Sequence, residues 1–472
     1  MKKRENRQHE PLVMVLITVL VLLVFTVTRA GFKIGSFETR KVNLLADVTS
    51  PAKDSLALHA TLASGPSVAD TVMVKQIRNV EKITVPLDQY TGIIQFGTDS
   101  TGGLHHFFAS LHQLGREKKK VRIAYFGDSM IEGDLITQDI RSLLQDQFGG
   151  EGVGFMPITS IVAGFRQSII HSFSPNWKEY TLLDAVPSDH GLGITGHTFM
   201  PWYSSSENDS LQSGNESWVK YAAVGRKHLN KFGSVKMFYG RSDGKNAVAL
   251  KGNKTIPLSG NGAVNEVCVC PRPVQGFTCT FNCSSPLNVY GFTMESDTGV
   301  ILDNFSFRGN SGMPLTKMPY NVLTGLNKYL NYDLIILQYG VNVVNDKVKD
   351  FSWYEKGMTE VVKHLQNCFP EASILVIGAG DKSTRIEGQY QTDPSVPVVV
   401  EAQRRVAEKT NTAFWNFYQA MGGEGSMVKW VTGDTIYANS DYTHFNPRGA
   451  RRVGGLLYNY IIGEYKKDKK AG

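Results

Sequence analysis

A serine lies directly after a short apolar run in this chain. The stretch "VRIAYFGDSMIEGD" places Ser129 two residues beyond Gly127, where a buried strand is predicted to end. Serine is common in turns, so a turn with a capped helix behind it is one interpretation. The other is a nucleophile at the edge of a sheet, which requires a general base and donors for a negatively charged oxygen.

Three later stretches contain residues that suit these two roles. In "SDYTHFNPRGA", Asp441 and His444 are three residues apart. Asp441 can therefore orient the His444 ring through one ring nitrogen while the other ring nitrogen faces a serine. Asn342 follows the apolar run "LIILQYG", and Gly312 lies in "RGNSGMP". Taken singly, each is more typical of a turn or a surface loop, so the hypothesis depends on the whole set and its order.

In that order, the four stretches resemble the four sequence blocks of the SGNH (GDSL-type) hydrolases. The resemblance implies Ser129 as nucleophile, His444 as general base and acid, and Asp441 as the residue that orients His444. It also implies oxyanion donors from the backbone N–H groups of Ser129 and Gly312 and from the Asn342 amide, with Gly309 as the alternative to Gly312. This chemistry needs no cofactor and no metal ion.

Residues from about 100 to 472 are similar in particular to the peptidoglycan and polysaccharide O-acetylesterase branch. The similarity rests on "GDSMIEGD", on "FGGEGVGFMP" and on "AMGGEGSMVKW". Met130 departs from the polar residue that this branch often has there. The resemblance implies an esterase that removes acetyl groups from a cell-envelope glycan. An O-acetyltransferase with the same triad and a non-catalytic glycan-binding protein remain alternatives.

The elements that would position these residues alternate between strand and helix. This pattern predicts a three-layer α/β/α hydrolase domain around a parallel sheet. Between residues 166 and 299, short strands separated by Gly, Asn and Ser predict an inserted all-β sandwich, which resembles a carbohydrate module. The predicted boundaries are a tail and anchor at 1–33, a stalk at 34–100, the hydrolase domain at 101–165 and 300–472, and the β module at 166–299.

The N-terminus predicts export. An apolar run with no charge from residue 11 to residue 28 follows the basic start "MKKRENR". This arrangement favours a transmembrane signal anchor that keeps the N-terminus in the cytoplasm; a cleaved signal peptide is the alternative. We therefore expect a protein anchored in the cytoplasmic membrane, with its catalytic domain in the periplasm or outside the cell.

Composition and cysteine content limit the other possibilities. The net charge of +7 over 472 residues is small, and we find no module typical of nucleic-acid binding. Cys268, Cys270, Cys279 and Cys283 are close in sequence, and in an exported protein they predict at least one disulfide, with Cys368 unpaired. A zinc site is the second interpretation, although the spacings are not the usual ones, and simple packing on one face of a strand is a third. A second serine pattern, "GRSDG", contains Ser242, but a strand-like run follows it where a nucleophile elbow needs a helix.

Overall fold

The computed structural model describes residues 92–97, 103–114, 116–187, 190–203, 216–250 and 254–471, together with residues 33–34 and 37–38. These last four residues form a small antiparallel pair, β1 (Lys33–Ile34) with β2 (Phe37–Glu38), in a unit of its own. All other described residues belong to a second compact unit, Thr84–Gly472.

The second unit begins with elements of α/β type. In chain order they are β3 (Ile93–Gln95), α1 (His105–Leu114), β4 (Lys120–Gly127), α2 (Thr137–Phe148) and β5 (Gly152–Met156). Eleven strands follow: β6 (Ile170–Phe173), β7 (Lys178–Thr181), β8 (His197–Met200), β9 (Ser217–Ala222), β10 (Ser234–Tyr239), β11 (Ser242–Leu250), β12 (Lys254–Gly260), β13 (Asn265–Cys270), β14 (Gly276–Asn282), β15 (Val289–Glu295) and β16 (Gly299–Ser306).

The remaining elements alternate again. They are α3 (Tyr320–Leu330), β17 (Tyr332–Gln338), α4 (Ser352–Cys368), β18 (Ser373–Ile377), the hairpin β19 (Ser383–Ile386) and β20 (Gln389–Thr392), α5 (Val396–Lys409), β21 (Ala413–Trp415), α6 (Phe417–Met421), α7 (Ser426–Thr432) and α8 (Pro447–Ala471). Among the described residues, no helix has both the length and the apolar character needed to cross a bilayer. The apolar segment 11–28 lies outside these residues.

A six-stranded sheet forms the centre of the α/β part, in the order β16-β4-β17-β18-β21-β3. Its strands are parallel, except that β3 pairs antiparallel with β21 at one edge. Alternate residues of β4 enter different cores: Ile123 packs with α1, α2 and α8, whereas Ala124 packs with α3, α4 and α5. The sheet is therefore covered by helices on both faces, as the near-continuous apolar strands predict.

Two antiparallel sheets form the β part. One has the order β13-β10-β15-β8-β7, with β5 also paired to β15, and the other has the order β12-β11-β14-β9-β6. Alternating side chains such as Val235 on β10 and Val219 on β9 meet in a shared apolar core. This is a β-sandwich, and its strands lie between β4 and β17 in the sequence.

Two short strands lie elsewhere than the sequence analysis places them. Residues 93–95, which we assigned to the stalk, form the edge strand β3 of the central sheet. Residues 152–156, which we assigned to the hydrolase domain, form β5 and pair with β15 of the sandwich. The physical reason is that strand pairing is set by long-range contacts, whereas the sequence pattern reports only local periodicity.

The predicted disulfide is not formed, so that expectation is wrong. No disulfide joins any of the five cysteines. Cys270 lies opposite Val235, and Cys279 lies opposite Leu250 and Val219 across the strand ladders. Cys270 and Cys279 instead pack in the apolar core of the sandwich, where burial, and then the charges of Cys270 and Cys283, raise the pKa of the Cys279 thiol.

Candidate active site

Ser129 begins a 3₁₀ helix (Ser129–Asp134) at the end of β4. Asp128 caps this helix, because its carboxylate accepts the backbone N–H of Met130 at 3.0 Å. A Cβ atom at Gly127 would lie 2.9 Å from the Ile131 side chain and 3.1 Å from the Gln338 carbonyl oxygen. The small residue thus allows the chain to turn sharply at the carboxyl end of the strand, where parallel α/β sheets bind ligands.

His444 and Asp441 reach this point from the loop between α7 and α8. The Ser129 Oγ lies 2.8 Å from His444 Nε2, and His444 Nδ1 lies 2.8 Å from an Asp441 carboxylate oxygen. The other Asp441 oxygen accepts the backbone N–H groups of Thr443 and His444, both at 3.0 Å. The structure thus brings the three residues into one continuous relay, although 315 positions separate Ser129 from His444.

The Asp441 carboxylate is held in its charged form. Partial burial tends to raise its pKa, but the hydrogen bonds from His444 and Thr443 outweigh this effect and lower the pKa below its ordinary value. The side chains of Asp441 and His444 are 49% and 39% exposed, so a solvent-borne substrate can reach the relay. An ionised Asp441 fixes the His444 tautomer that leaves Nε2 able to accept the Ser129 proton.

The predicted oxyanion donors lie side by side and share one neighbour, Asn310. The Asn342 amide donates to the Asn310 carbonyl oxygen and to Asp128, both at 3.1 Å. The Gly312 N–H donates to the Asn310 side-chain oxygen at 2.8 Å. Asn310 therefore links Gly312 to Asn342. Among the described hydrogen bonds, Gly309 has no such link.

Gly312 also has a steric reason to be glycine. Its φ is +93°, and a Cβ atom there would lie 2.9 Å from the Tyr339 ring and 2.8 Å from the Met358 sulfur. Gly309 has φ +72° and open space around it. The packing therefore constrains the backbone at Gly312 more tightly than at Gly309.

Ser242 lies in a different environment from Ser129. It begins β11 and is buried, and its hydroxyl donates to the Leu258 carbonyl oxygen at 2.7 Å. The Asn246 amide donates to the same hydroxyl. A strand follows Ser242, and none of its described hydrogen-bond partners is a histidine, so the "GRSDG" pattern is a structural element of the β-sandwich.

Comparison with solved structures places this architecture among known folds. A structure described as a peptidoglycan O-acetylesterase in action superposes with a TM-score of 0.64 at 21% sequence identity, covering 79% of this chain and 99% of that one. The chain has the SGNH-hydrolase fold. The acetyl xylan esterase AlAXEase, at 20% identity, covers 34% of this chain and 81% of its own, with a TM-score of 0.27.

A family two carbohydrate esterase from Cellvibrio japonicus is more distant. It is 8% identical, covers 62% of this chain and 98% of its own, and has a TM-score of 0.24. No protein-family model matches the chain, and no curated protein sequence matches it.

Within this SGNH fold, two features of the site are absent from the sequence analysis. The first is Asp128, which is only 1% exposed and has a pKa raised to about 7. Burial is the main cause, and the hydrogen bonds from Met130 and Asn342 counteract it only partly. Its place beside Ser129 was visible in "GDS", but its burial and its contact with Asn342 depend on the tertiary fold.

The second feature is the hairpin β19–β20, which contacts the loop that carries His444 in the SGNH fold. The Tyr390 ring stacks on Tyr442 with a centroid distance of 3.6 Å and an interplanar angle of 10°. The Ser383 N–H donates to the Tyr442 carbonyl oxygen at 3.1 Å. Tyr442 lies between Asp441 and His444 and has φ +55°, so these contacts hold a left-handed residue in place.

No metal site accompanies these residues in the part of the chain that the structure describes. Groups of three or more His, Cys, Asp or Glu side chains with suitable spacing do not occur there.

Proposed function

We propose that this protein is a serine esterase that removes O-acetyl groups from a cell-envelope polysaccharide, with O-acetylated peptidoglycan as the first substrate to test. The proposal depends on two contacts of 2.8 Å, one between Ser129 Oγ and His444 Nε2 and one between His444 Nδ1 and the Asp441 carboxylate. A serine hydroxyl in contact with an imidazole that a carboxylate orients is the arrangement that activates serine for acyl transfer.

The reaction proceeds in two acyl-transfer steps. Ser129 Oγ attacks the acetyl carbonyl carbon while its proton moves to His444 Nε2. Asp441 stabilises the imidazolium that results. His444 then gives this proton to the sugar oxygen, the ester bond breaks, and the acetyl group stays on Ser129. A water molecule, deprotonated by His444, releases acetate and restores the free serine.

The negatively charged oxygen of each tetrahedral intermediate needs hydrogen-bond donors. We assign this role to the Asn342 amide and to the Gly312 and Ser129 N–H groups. Asn310 accepts from both Asn342 and Gly312 in this structure. We therefore expect the oxyanion to take the place of Asn310 as the acceptor of both hydrogen bonds. This exchange is favourable, because a hydrogen bond to a charged acceptor is stronger than one to a neutral acceptor.

The assignment of an acetylated glycan rests on two kinds of support. One is the sequence resemblance to the O-acetylesterase branch, and the other is the shared fold with a peptidoglycan O-acetylesterase. The cellular location is part of the same proposal: the basic N-terminus and the apolar segment 11–28 would anchor the protein in the cytoplasmic membrane with its active site outside. Fractionation that recovers the full-length protein from membranes only with detergent would support anchoring.

The test compares two serine variants on O-acetylated peptidoglycan. We expect Ser129→Ala to lose almost all acetate release, while Ser242→Ala keeps the wild-type rate if it remains folded. Loss of activity in Ser242→Ala alone would refute the assignment of the nucleophile. Acetyl groups that appear on an acceptor sugar, without free acetate, would assign the transferase reaction instead.

A further inference from the structure

A groove lies between the segment that follows Ser129 and the β-sandwich, and Ser129 itself does not line it. It has a volume of about 570 Å³, which is in the usual range for small-ligand sites. Glu132 and Gly133 line one end and belong to the 3₁₀ helix that Ser129 begins, about one turn, or roughly 6 Å, from the serine. Arg308, four residues before Gly312, lies at the same end. Thr181 and Thr195 line the part formed by the sandwich.

One side chain in this groove needs a partner that the protein does not supply. Thr195 is only 8% exposed, and its hydroxyl has no hydrogen-bond partner among the described residues. A buried hydroxyl without a partner costs stability, so such groups are rare unless a ligand or water satisfies them. Thr195 lines the groove, and a rotation of its side chain would let a hydroxyl group of a bound ligand supply the missing hydrogen bond.

The groove surface combines apolar and polar groups. Ile161 and Leu183 line it and are 84% and 62% exposed, which is unusual for large apolar side chains. The polar walls include the Arg308–Glu132 ion pair and the His197–Glu179 pair. A sugar ring has both kinds of surface, with apolar C–H faces and a rim of hydroxyl groups.

The same composition argues against a long acyl chain in the groove. An alkyl chain would bury both ion pairs without offering them hydrogen bonds, and this desolvation is unfavourable. A larger cavity of about 710 Å³ also exists, but no residue of 126–134 or 304–312 lines it.

We propose that this groove binds the sugar residues next to the acetylated sugar of a polysaccharide substrate. The proposal rests on the proposed function, because it assigns the ester to Ser129 and the adjoining sugars to the groove. Thr195 then donates to or accepts from a sugar hydroxyl, and Ile161 and Leu183 contact the C–H faces. Binding energy from sugars remote from the ester raises kcat/KM for the polymer and not for a small ester.

The test measures how strongly the enzyme prefers the polymer. We compare kcat/KM for O-acetylated peptidoglycan fragments with kcat/KM for p-nitrophenyl acetate, using the full chain. Loss of one neutral hydrogen bond predicts that Thr195→Val lowers the ratio of the two values roughly 2- to 10-fold. Ser160→Trp, which places a large side chain in the groove, should lower the ratio further.

Two matched variants control for effects on folding. Thr198 lies close to Thr195 in sequence, is also buried without a hydrogen-bond partner among the described residues, and does not line the groove. Thr198→Val should therefore leave the ratio unchanged. Ser284→Trp places the same large side chain on an exposed part of the sandwich and should also leave it unchanged. An unchanged ratio in both groove variants, or an equal change in the Thr198→Val control, would overturn the proposal.

A binding measurement separates this proposal from the proposed function. Calorimetry with Ser129→Ala and peptidoglycan tetrasaccharide requires no turnover. We expect Ser160→Trp, added to Ser129→Ala, to weaken binding at least 10-fold, whereas Ser284→Trp does not. If the wild-type protein releases no acetate but Ser160→Trp still weakens tetrasaccharide binding more than Ser284→Trp does, the esterase function is refuted and glycan binding in the groove is supported. Equal tetrasaccharide affinity in both double variants would refute the groove.

Discussion

At the scale of single residues, the buried carboxyl group of Asp128 links protonation to the stability of the fold. Its carboxylate lies between the Met130 N–H and the Asn342 amide, with 1% of its surface exposed. Burial raises its pKa from about 3.8 to about 7. The folded protein therefore binds a proton between these two pH values that the unfolded chain releases.

This difference predicts that the stabilising contribution of Asp128 falls as pH rises. At Asp128 the folded state binds more protons than the unfolded state between about pH 4 and pH 7, so the contribution of this residue to the free energy of unfolding decreases over this range. Burial lowers the pKa of His171 to about 4, so His171 contributes in the opposite direction, and the comparison with Asp128→Asn isolates the Asp128 part. A shift of about three pKa units corresponds to about 4 kcal/mol. Urea unfolding at several pH values should show this contribution in the wild type and not in Asp128→Asn. Parallel pH profiles for the two proteins would show that Asp128 titrates normally.

A second prediction at this scale concerns Asn342. Asn342→Ala removes one oxyanion donor, so kcat for a small acetyl ester should fall by roughly a hundred- to a thousandfold while KM changes little. Asn345→Ala, in the same loop but with its side chain accepting only the exposed Lys347 N–H, is the control and should keep its rate. A similar loss in both variants would mean that the loop, not the donor, is responsible.

At the scale of elements, the hairpin β19–β20 contacts the loop that carries Asp441 and His444. Tyr390 stacks on Tyr442, between Asp441 and His444, and an aromatic pair of this kind contributes about 0.5–1.5 kcal/mol. We expect Tyr390→Ala to lower kcat up to about tenfold, because His444 samples positions away from Ser129. Tyr390→Phe keeps the ring and should restore the rate and the shape of the pH–rate profile. Full activity in Tyr390→Ala would exclude this positioning role.

Local sequence signals predict the elements better than their pairing. The apolar run before Ser129 predicts a strand, and the short runs between residues 166 and 299 predict an all-β sandwich, and both exist. The places of β3 and β5 were not predictable, because strand pairing depends on contacts far away in the sequence. The sequence does not predict the position of Tyr390 over Tyr442, for the same reason.

In the active site too, the sequence predicts the residues better than their contacts. The sequence order and the family resemblance predict Ser129, His444 and Asp441, and the structure places them within hydrogen-bonding distance. The role of Asn310 and the buried state of Asp128 were not predictable, since Asn342, in the loop after β17, contacts both Asp128 after β4 and Asn310 after β16.

At the scale of the whole molecule, a buried ion network connects the parallel sheet to the sandwich. The Arg122 guanidinium on β4 pairs with Glu295 on β15 and with Asp303 on β16, where its contact to Asp303 is 2.6 Å. Lys120 also pairs with Glu295 at 2.8 Å, and the Tyr332 hydroxyl donates to Asp303 at 2.6 Å. The three charged residues at the centre of the network, Arg122, Glu295 and Asp303, are each at most 3% exposed.

This network predicts that the sandwich and the α/β part unfold together. Arg122→Met leaves two buried carboxylates with an incomplete set of partners, which costs about 3–5 kcal/mol. Because those carboxylates belong to both parts, the loss should shift one common urea transition, monitored by tryptophan fluorescence and by circular dichroism. Lys227→Met removes an exposed pair with Asp146 and should change stability by at most about 1 kcal/mol. Two separate transitions, with only one of them shifted by Arg122→Met, would mean that the two parts fold independently and that the network does not couple them.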